Sequence, residues 1–212
     1  MLKLNMKKLF LLLAISMIFA ANATSQSFYG GVALGGVTSQ VDGDGNNGFH
    51  KFGITGGGFV GLKLNDIFDI QLEIKYIQKG SKSAADDPSS FKIRLDYVEM
   101  PLVASANLDF LKVNGRELDW LKFELGLSLD ALVYTNQKIN AANEATDMWR
   151  PLCLNGILGM QFQLTPKLGL GFRVITSITS AYKGNFNKDT VRFGQKGAFN
   201  DVLELVIYYR FK

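Results

Sequence analysis

Alternation of apolar and polar residues runs through most of the chain after position 27. In the stretch "FDIQLEIKYIQKG", residues 68–80, every second residue from Phe68 to Tyr76 is apolar, and Asp, Gln, Glu and Lys stand between them. A second unbroken run extends from Leu121 to Val133. A period of two is that of a β-strand with one apolar and one polar face. The pattern predicts strands, and the surroundings of each face decide the class of protein.

Eight segments carry this pattern, and no amphipathic helix of more than two turns lies between them. The segments cover residues 27–39, 52–64, 68–80, 91–108, 121–133, 152–164, 168–179 and 203–211. In the fourth, the apolar parity of Phe91 to Tyr97 shifts by one residue at Met100, next to Pro101. Proline cannot donate to a strand ladder, so the shift predicts a β-bulge beside Pro101.

The connections between these segments alternate in length. Long polar connections follow the first, third, fifth and seventh segments, whereas "NDI" and "TPK" follow the second and sixth, and a medium connection, "FLKVNGRELD", follows the fourth. An even number of antiparallel strands with alternating long and short connections is typical of an outer-membrane barrel, with both termini and the short turns in the periplasm. We therefore predict an all-β fold: an eight-stranded antiparallel up-and-down transmembrane β-barrel over residues 24–212.

The first 23 residues have the composition of a signal peptide. Lys3, Lys7 and Lys8 precede the apolar run "LFLLLAISMIFAA", and the small residues Ala21 and Ala23 mark a cleavage site. A second site lies after Ser25, and an uncleaved anchor is the alternative. The chain of 212 residues has a formal net charge of +4. Without the three lysines the excess of basic residues falls to one, so we expect no nucleic-acid partner.

In a membrane barrel the apolar face contacts lipid and the charged face lines the lumen, because lipid offers no hydrogen-bond partners. The charged residues expected in the lumen are Glu73, Lys75, Arg94, Asp96, Lys122, Glu124, Asp130, Arg173, Glu204 and Arg210. An eight-stranded barrel has room only for its own side chains. We expect these charges to pair and to fill the lumen; a proton or small-ion path is the alternative.

Aromatic residues collect near the predicted strand ends, where the membrane interfaces would lie. The residues expected in two aromatic girdles are Phe28, Phe68, Tyr76, Tyr97, Trp120, Phe162, Tyr182, Phe199, Tyr209 and Phe211. Ordinary core aromatics at strand ends are the alternative.

Several short motifs resemble the PorT-like outer-membrane β-barrel family of Bacteroidota. They are "FYGGVALGG", "GGGFVGLKL", "YIQKGSK", "LDYVEMP" and the terminal "YYRFK". The resemblance covers essentially all of the mature chain and implies a barrel in the outer membrane. Members of the family with an assigned role include a component linked to type IX protein secretion, and the resemblance brings no catalytic residue. We expect the barrel to be a monomer.

Residues with reactive or metal-binding side chains are few. His50 is the only histidine, and the single cysteine, Cys153, has no disulfide partner within the chain. The stretch "DGDGNNG" has aspartates at calcium-loop spacing, but Asn47 and Gly53 stand where the motif requires glycine and glutamate. We expect no enzymatic activity, no cofactor and no metal site.

Binding through the outer loops is the function that the sequence favours, because loops on a rigid scaffold commonly carry binding sites. The loops contain many Lys, Asp, Asn, Ser and Gly residues. Their composition does not identify a ligand. Two alternatives remain: a membrane-embedded component of a secretion machine that binds its partner through the turn "DFLKVNGRELDW", and a narrow pore for small solutes.

Overall fold

The structure is a computed structural model, and it describes residues 27–44, 48–84, 91–113, 116–139, 142–143, 147–183 and 190–211. The predicted signal peptide and parts of the predicted outer loops lie outside these residues. Within the described ranges, no helix has the length and apolar character needed to cross a membrane.

Eight long antiparallel strands form one closed sheet. They are β1 (Phe28–Asp42), β2 (Lys51–Lys63), β3 (Phe68–Lys82), β4 (Phe91–Val113), β5 (Arg116–Ile139), β6 (Leu152–Gln163), β7 (Leu168–Ser177) and β8 (Phe199–Arg210). Each strand pairs with its neighbours in sequence, and β1 pairs with β8 from Gly31 opposite Arg210 to Asp42 opposite Phe199. The prediction of a closed eight-stranded antiparallel barrel is confirmed.

Tight turns join β2 to β3 and β6 to β7, and they define the lower end of the barrel. In the first turn the side-chain oxygen of Asn65 accepts hydrogen bonds from the backbone N–H groups of Ile67 and Phe68, at 2.9 and 2.7 Å. Thr165 plays the same part before Leu168, at 3.0 Å. Such side-chain bonds fix short turns. The long connections lie at the opposite, upper end, where Val191–Arg192 and Gln195–Lys196 pair as a small hairpin and Ala142–Asn143 extends the sheet beside β5.

The apolar side chains of the lower part of the barrel point outward. The large apolar residues exposed on this wall include Leu34, Val60, Ile70, Leu72, Ile74, Leu102, Leu125, Leu127, Leu158, Leu205 and Ile207. The residues between them are buried, and many of these are charged. This distribution is the reverse of a water-soluble protein and is typical of a sheet that closes in lipid.

The predicted bulge in β4 is misplaced. Pro101 lies in regular register opposite Ser128, whereas the irregularity falls where Asp96 pairs with Tyr134 and Tyr97 pairs with Leu132, so Val133 of β5 is the extra residue. Along β4, odd-numbered residues from Ile93 to Ser105 face inward without interruption. The apolar residues change parity because the upper interior of the barrel is apolar, and not because the strand slips.

Glycines allow close backbone approach at the seam between β1 and β8. A Cβ atom on Gly35 would overlap the backbone oxygen of Leu205 and lie 2.8 Å from the Cα of Val206. The next glycine, Gly36, points outward, and the nearest atom to its Cβ would be the backbone oxygen of Gly53 at 3.8 Å. A methyl group is therefore expected to clash with the backbone of β8 at Gly35 and to be accommodated at Gly36.

We expect Gly35→Ala to weaken the seam and Gly36→Ala to leave it unchanged. Overpacking of a tight site costs about 1–3 kcal/mol. The free energy of unfolding, measured by urea titration of the protein folded into lipid vesicles, should fall by that amount for the first variant only. Equal effects at both positions would mean that the methyl group does not clash at the seam.

Candidate functional site

The lower interior is built around one arginine. Arg173 of β7 donates from Nη2 to Oε1 of Glu73 and from Nε to Oε2 of Glu124, both at 2.7 Å. Its Nη1 also donates to the second oxygen of Glu73 at 3.0 Å, and its guanidinium lies 5.4 Å from the ring centre of Tyr208. The side chain is wholly enclosed. Arg173 thus links β3, β5 and β7 across the lumen by charge-assisted hydrogen bonds.

Two lysines extend this network upward. Lys75 Nζ lies 2.6 Å from a carboxylate oxygen of Glu204 and 3.2 Å from one of Glu99. Lys79 Nζ lies 3.0 Å from the other oxygen of Glu99 and 2.7 Å from Asp130. These five side chains are almost completely buried. Buried charges of both signs are tolerated because each has a partner of opposite sign.

The lower mouth of the lumen holds a further ion pair. Lys122 bonds Asp69, and both side chains are buried. Below them, the guanidinium of Arg210 lies 4.4 Å from the ring centre of Tyr29. Cation–π contact of this kind holds a half-buried arginine against the wall.

The upper interior contains an apolar cluster. The cluster is formed by Val37, Val41, Ile77, Ile93, Leu95, Tyr97, Val103, Trp149, Cys153, Ile157, Ile175, Ala181, Ala198 and Val202. Tyr182 packs on Trp149 edge to face, with 5.3 Å between ring centres. A path through the barrel would have to pass both this cluster and the ion network.

The structure places seven of the ten predicted lumen charges in the buried interior: Glu73, Lys75, Lys122, Glu124, Asp130, Arg173 and Glu204. Arg210 lies half-buried at the lower mouth. The assignments of Arg94 and Asp96 to the lumen are wrong. Both lie on the outward parity of β4, where Arg94 bonds Asp96 at 2.7 Å. The side chain of Arg94 is 43% exposed, whereas that of Asp96 is buried against Arg94 and Tyr76. Sequence reasoning inverted them because it inverted the upper half of β4.

Three charged residues of the network are absent from the predicted lumen set. Asp69 faces inward as the alternation of β3 predicts, and Lys79 shares its parity. Glu99 lies on the odd parity of β4 beside the predicted bulge, and the sequence pattern assigned it to neither face.

The predicted aromatic girdles are placed as follows. Phe28, Phe68, Trp120, Tyr209 and Phe211 are exposed at the lower rim, and Phe162 stacks on Trp120 with 5.9 Å between ring centres. At the upper end Tyr76 and Tyr182 are half-buried. Their contact with the membrane interface stays a prediction.

Two of the girdle assignments are wrong. Tyr97 points into the apolar cluster, where the side-chain amide of Asn200 donates to its hydroxyl oxygen at 3.3 Å. Phe199 is also fully buried, and the guanidinium of Arg192 covers its ring at 5.1 Å from the centre. A position near a strand end therefore does not by itself place an aromatic side chain at the membrane interface. The side chain also has to point outward and remain uncovered by the loops.

The hairpin of residues 191–196, here called the outer hairpin, is held against the upper wall by Arg192. Its guanidinium bonds Asp42 at 2.8 Å, Asp201 at 2.7 Å and the hydroxyl of Thr176 at 2.6 Å. The hydrogen bonds to Asp201 raise the pKa of Arg192 above its usual range. The charge is therefore permanent, and the contact ties the outer hairpin to β1, β7 and β8.

The tip of the outer hairpin exposes an aromatic side chain. Phe193 has φ 47° and Gly194 has φ 74°, as in the two-residue turns that match the twist of a hairpin. Left-handed backbone is unfavourable for a bulky residue. The side chain of Phe193 is nevertheless 69% exposed, with Val191 exposed beside it. An apolar surface is thus presented above a rigid support.

The other candidate residues lie apart from these features. His50 is exposed at the upper end, and Cys153 is a free thiol buried in the apolar cluster. Part of the stretch that resembles a calcium loop, residues 45–47, lies outside the described residues. Within the described ranges, no group of three or more His, Cys, Asp or Glu side chains is arranged to hold a metal ion.

We expect Arg173→Met to destabilise the barrel strongly, because Glu73 and Glu124 would remain buried without their partner. Removing one member of a buried ion cluster costs about 3–5 kcal/mol. The measurement is urea unfolding in lipid vesicles, with Lys167→Met in the exposed lower turn as the matched control.

Adding Glu73→Gln and Glu124→Gln to Arg173→Met should recover much of the lost stability, since neutral amides cost less to bury than unpaired carboxylates. A network without energetic coupling would give no recovery.

Comparison with known proteins places the chain in a family. The model of the family described as outer membrane protein beta-barrel domain matches residues 20–183. Among solved structures, the chain is similar to Ail, the attachment invasion locus protein of Yersinia pestis, in complex with the heparin analogue sucrose octasulfate. The identity is 12% and the TM-score 0.50, with 87% of this chain and 99% of Ail covered.

The chain is also similar to Neisserial surface protein A, with 14% identity, a TM-score of 0.47, and coverage of 89% of this chain and 100% of that one. No curated protein matches. The family match spans most of the chain and agrees with the closed eight-stranded sheet. The chain therefore belongs to the outer membrane protein β-barrel domain family, and it is a protein of the cell outer membrane.

Proposed function

We propose that this protein is a non-enzymatic surface protein whose lumen is filled and whose outer loops bind a ligand or partner. The observation that carries the proposal is the enclosure of Arg173 and its carboxylate partners beneath an apolar cluster. Opening a path would leave buried charges without partners, which is costly. Transport of solutes through the lumen is therefore disfavoured. The loops and turns at the two ends of the barrel are the surfaces that remain for binding.

The orientation follows from the family. Outer-membrane barrels have short turns in the periplasm and longer loops outside. The turns at Asn65 and Thr165 would then face the periplasm, and the outer hairpin would lie above the cell surface. Export requires a signal, and we propose cleavage near Ala23, which leaves residues 24–212 as the barrel domain.

The outer hairpin is the best-supported contact surface among the described outer residues. Phe193 supplies an exposed aromatic group, and Arg192 fixes its support. Aromatic residues are enriched among those that dominate binding energy, and a fixed support lowers the entropy lost on binding. Strained backbone at an exposed position also suggests function.

A second function is favoured by the hairpin between β4 and β5. Asn107 still bonds the lower turn, since its N–H donates to the oxygen of Ile67 at 2.7 Å. Beyond it, β4 and β5 pair only with each other, to Val113 opposite Arg116. This hairpin projects below the barrel. A PorT-like component of a type IX secretion machine would use such a projection to bind a periplasmic protein.

Phe193→Ser is expected to weaken capture of ligands by cells that display the protein, with Met148→Ser as the control at another exposed apolar residue. Loss of a dominant aromatic contact lowers affinity by about tenfold or more. The measurement is adhesion of displaying cells to arrays of immobilised proteins and glycans. Arg192→Gln should act in the same direction by releasing the outer hairpin.

Unchanged adhesion for both hairpin variants, with periplasmic proteins cross-linked to residues near Val113, would favour the secretion component instead.

Recording across planar bilayers should reveal no steady conductance of porin size for the purified barrel. The buried ion pairs and the apolar cluster leave no continuous aqueous path for hydrated ions. A stable open level would contradict the filled lumen and would favour the narrow pore.

A further inference from the structure

Three lysines stand side by side on the outer flank of the barrel. Lys82 of β3 lies directly opposite Lys92 of β4, and Lys92 lies directly opposite Lys138 of β5. All three are exposed and belong to the outward parity of their strands. We call Lys82, Lys92 and Lys138 the lysine row. Side chains directly opposite each other on one face have Cβ atoms about 4.5–5.5 Å apart.

Among the described residues, the lysine row is a source of electrostatic repulsion. Like charges directly opposite each other are destabilising. Within the described part of the chain, none of the three forms an ion pair with a carboxylate, and the nearby carboxylate of Asp96 is occupied by Arg94 at 2.7 Å. The sheet holds the row in place, because the N–H of Ser83 donates to the oxygen of Phe91 at 3.0 Å just beyond it. Spreading of the strands therefore does not relieve the repulsion.

The height of the row on the wall restricts what can lie beside it. Ile74 and Met100 are exposed apolar residues below, and Tyr76, whose hydroxyl donates to Asp96 at 2.7 Å, begins a polar belt on the same flank. From Tyr76 to Lys82 the strand rises about 20 Å, or about 15 Å along the normal of a membrane when strands tilt by about 45°. Phospholipid headgroups add only about 5–8 Å beyond the hydrocarbon. The row lies at the level of a larger, saccharide headgroup.

We propose that the lysine row binds the phosphorylated saccharide headgroup of an outer-leaflet glycolipid. Anionic phosphate would neutralise the three ammonium groups, which act as compact donors to phosphate. The row faces sideways along the barrel wall, on the same flank as the exposed apolar residues Ile74 and Met100 and above the polar belt that begins at Tyr76. A glycolipid whose saccharide headgroup spans that belt can contact both the apolar zone and the row. A soluble polyanion would gain nothing from the apolar zone. This site is separate from the outer hairpin and does not depend on ligand binding there.

The test uses the mature protein in detergent micelles and native mass spectrometry. The probe is a glycolipid with a bisphosphorylated glucosamine disaccharide, compared with the same glycolipid without phosphates. Inorganic phosphate and a sulfated polysaccharide are added separately as soluble competitors. The variant is Lys82→Gln, Lys92→Gln and Lys138→Gln together. The matched control removes three other exposed lysines, by Lys63→Gln, Lys167→Gln and Lys196→Gln.

The phosphorylated glycolipid should bind the wild type at least about tenfold more tightly than its phosphate-free form, and the row variant should lose most of that preference. The control variant should keep it, and added salt should weaken it. Equal loss in the control variant would assign binding to overall charge and overturn the site. Equal binding of the phosphate-free glycolipid, or preferential binding of the sulfated polysaccharide over the glycolipid, would overturn the proposed ligand. Retained heat-modifiable gel mobility establishes that the variants are folded.

Discussion

Hydrocarbon provides no hydrogen-bond partner, and this constraint determines the rest of the structure. Every backbone group of a sheet in lipid needs a partner within the sheet, so β1 has to pair with β8, as it does from Gly31 to Asp42. The same constraint sends the charged face of each strand inward. Once inside, the charges have to compensate one another, because the closed barrel leaves them little water. Closure of the sheet and the ion network around Arg173 therefore both follow from the hydrocarbon environment of the barrel.

Charges of both signs lie along the lumen in the described strands. The carboxylates are Asp69, Glu73, Glu99, Glu124, Asp130 and Glu204, and the cations are Lys51, Lys63, Lys75, Lys79, Lys122, Arg173 and Arg210. Four of the cations bond carboxylates directly, whereas Lys51 lies toward the upper end and Lys63 and Arg210 toward the lower end. Pairing of opposite charges lowers the cost of burying them in a region of low dielectric constant. Such an interior can stabilise the barrel as a scaffold for the outer loops, but it is poorly suited to conducting ions.

Sequence alternation was sufficient where one environment surrounds a strand for its whole length. β5 below the bulge and the lower part of β3 contact lipid outside and the ion network inside, and their faces were predicted correctly. β4 crosses from one environment to another. Its lower part exposes Met100 and Leu102, whereas its upper part buries Ile93 and Leu95. A change of apolar parity along a strand has two explanations. Either a bulge shifts the side chains to the other face, or the strand stays regular while the apolar environment changes from the outside to the inside of the barrel. The period-two pattern alone cannot distinguish them.

Tertiary contacts account for the other errors. Phe199 has the outward parity of its strand and a position near the strand end, which predicted a girdle residue. It is buried because the outer hairpin, distant by several residues, folds back and places Arg192 on its ring. Similarly, the lysine row cannot be recognised from a list of basic residues, since Lys82, Lys92 and Lys138 belong to three different strands. Only the strand register aligns them.

The exchange of sides in β4 also separates the lower wall from the upper end, which carries the candidate binding surfaces. On β3 and β4 the wall above Tyr76 becomes polar, and the interior at that level holds the apolar cluster. The upper part therefore has an apolar core of its own. A rigid projection keeps the outer hairpin in a fixed position above the surface and keeps the lysine row at a fixed height beside it. Binding at either place then costs little conformational entropy, because the groups that make contact are already ordered.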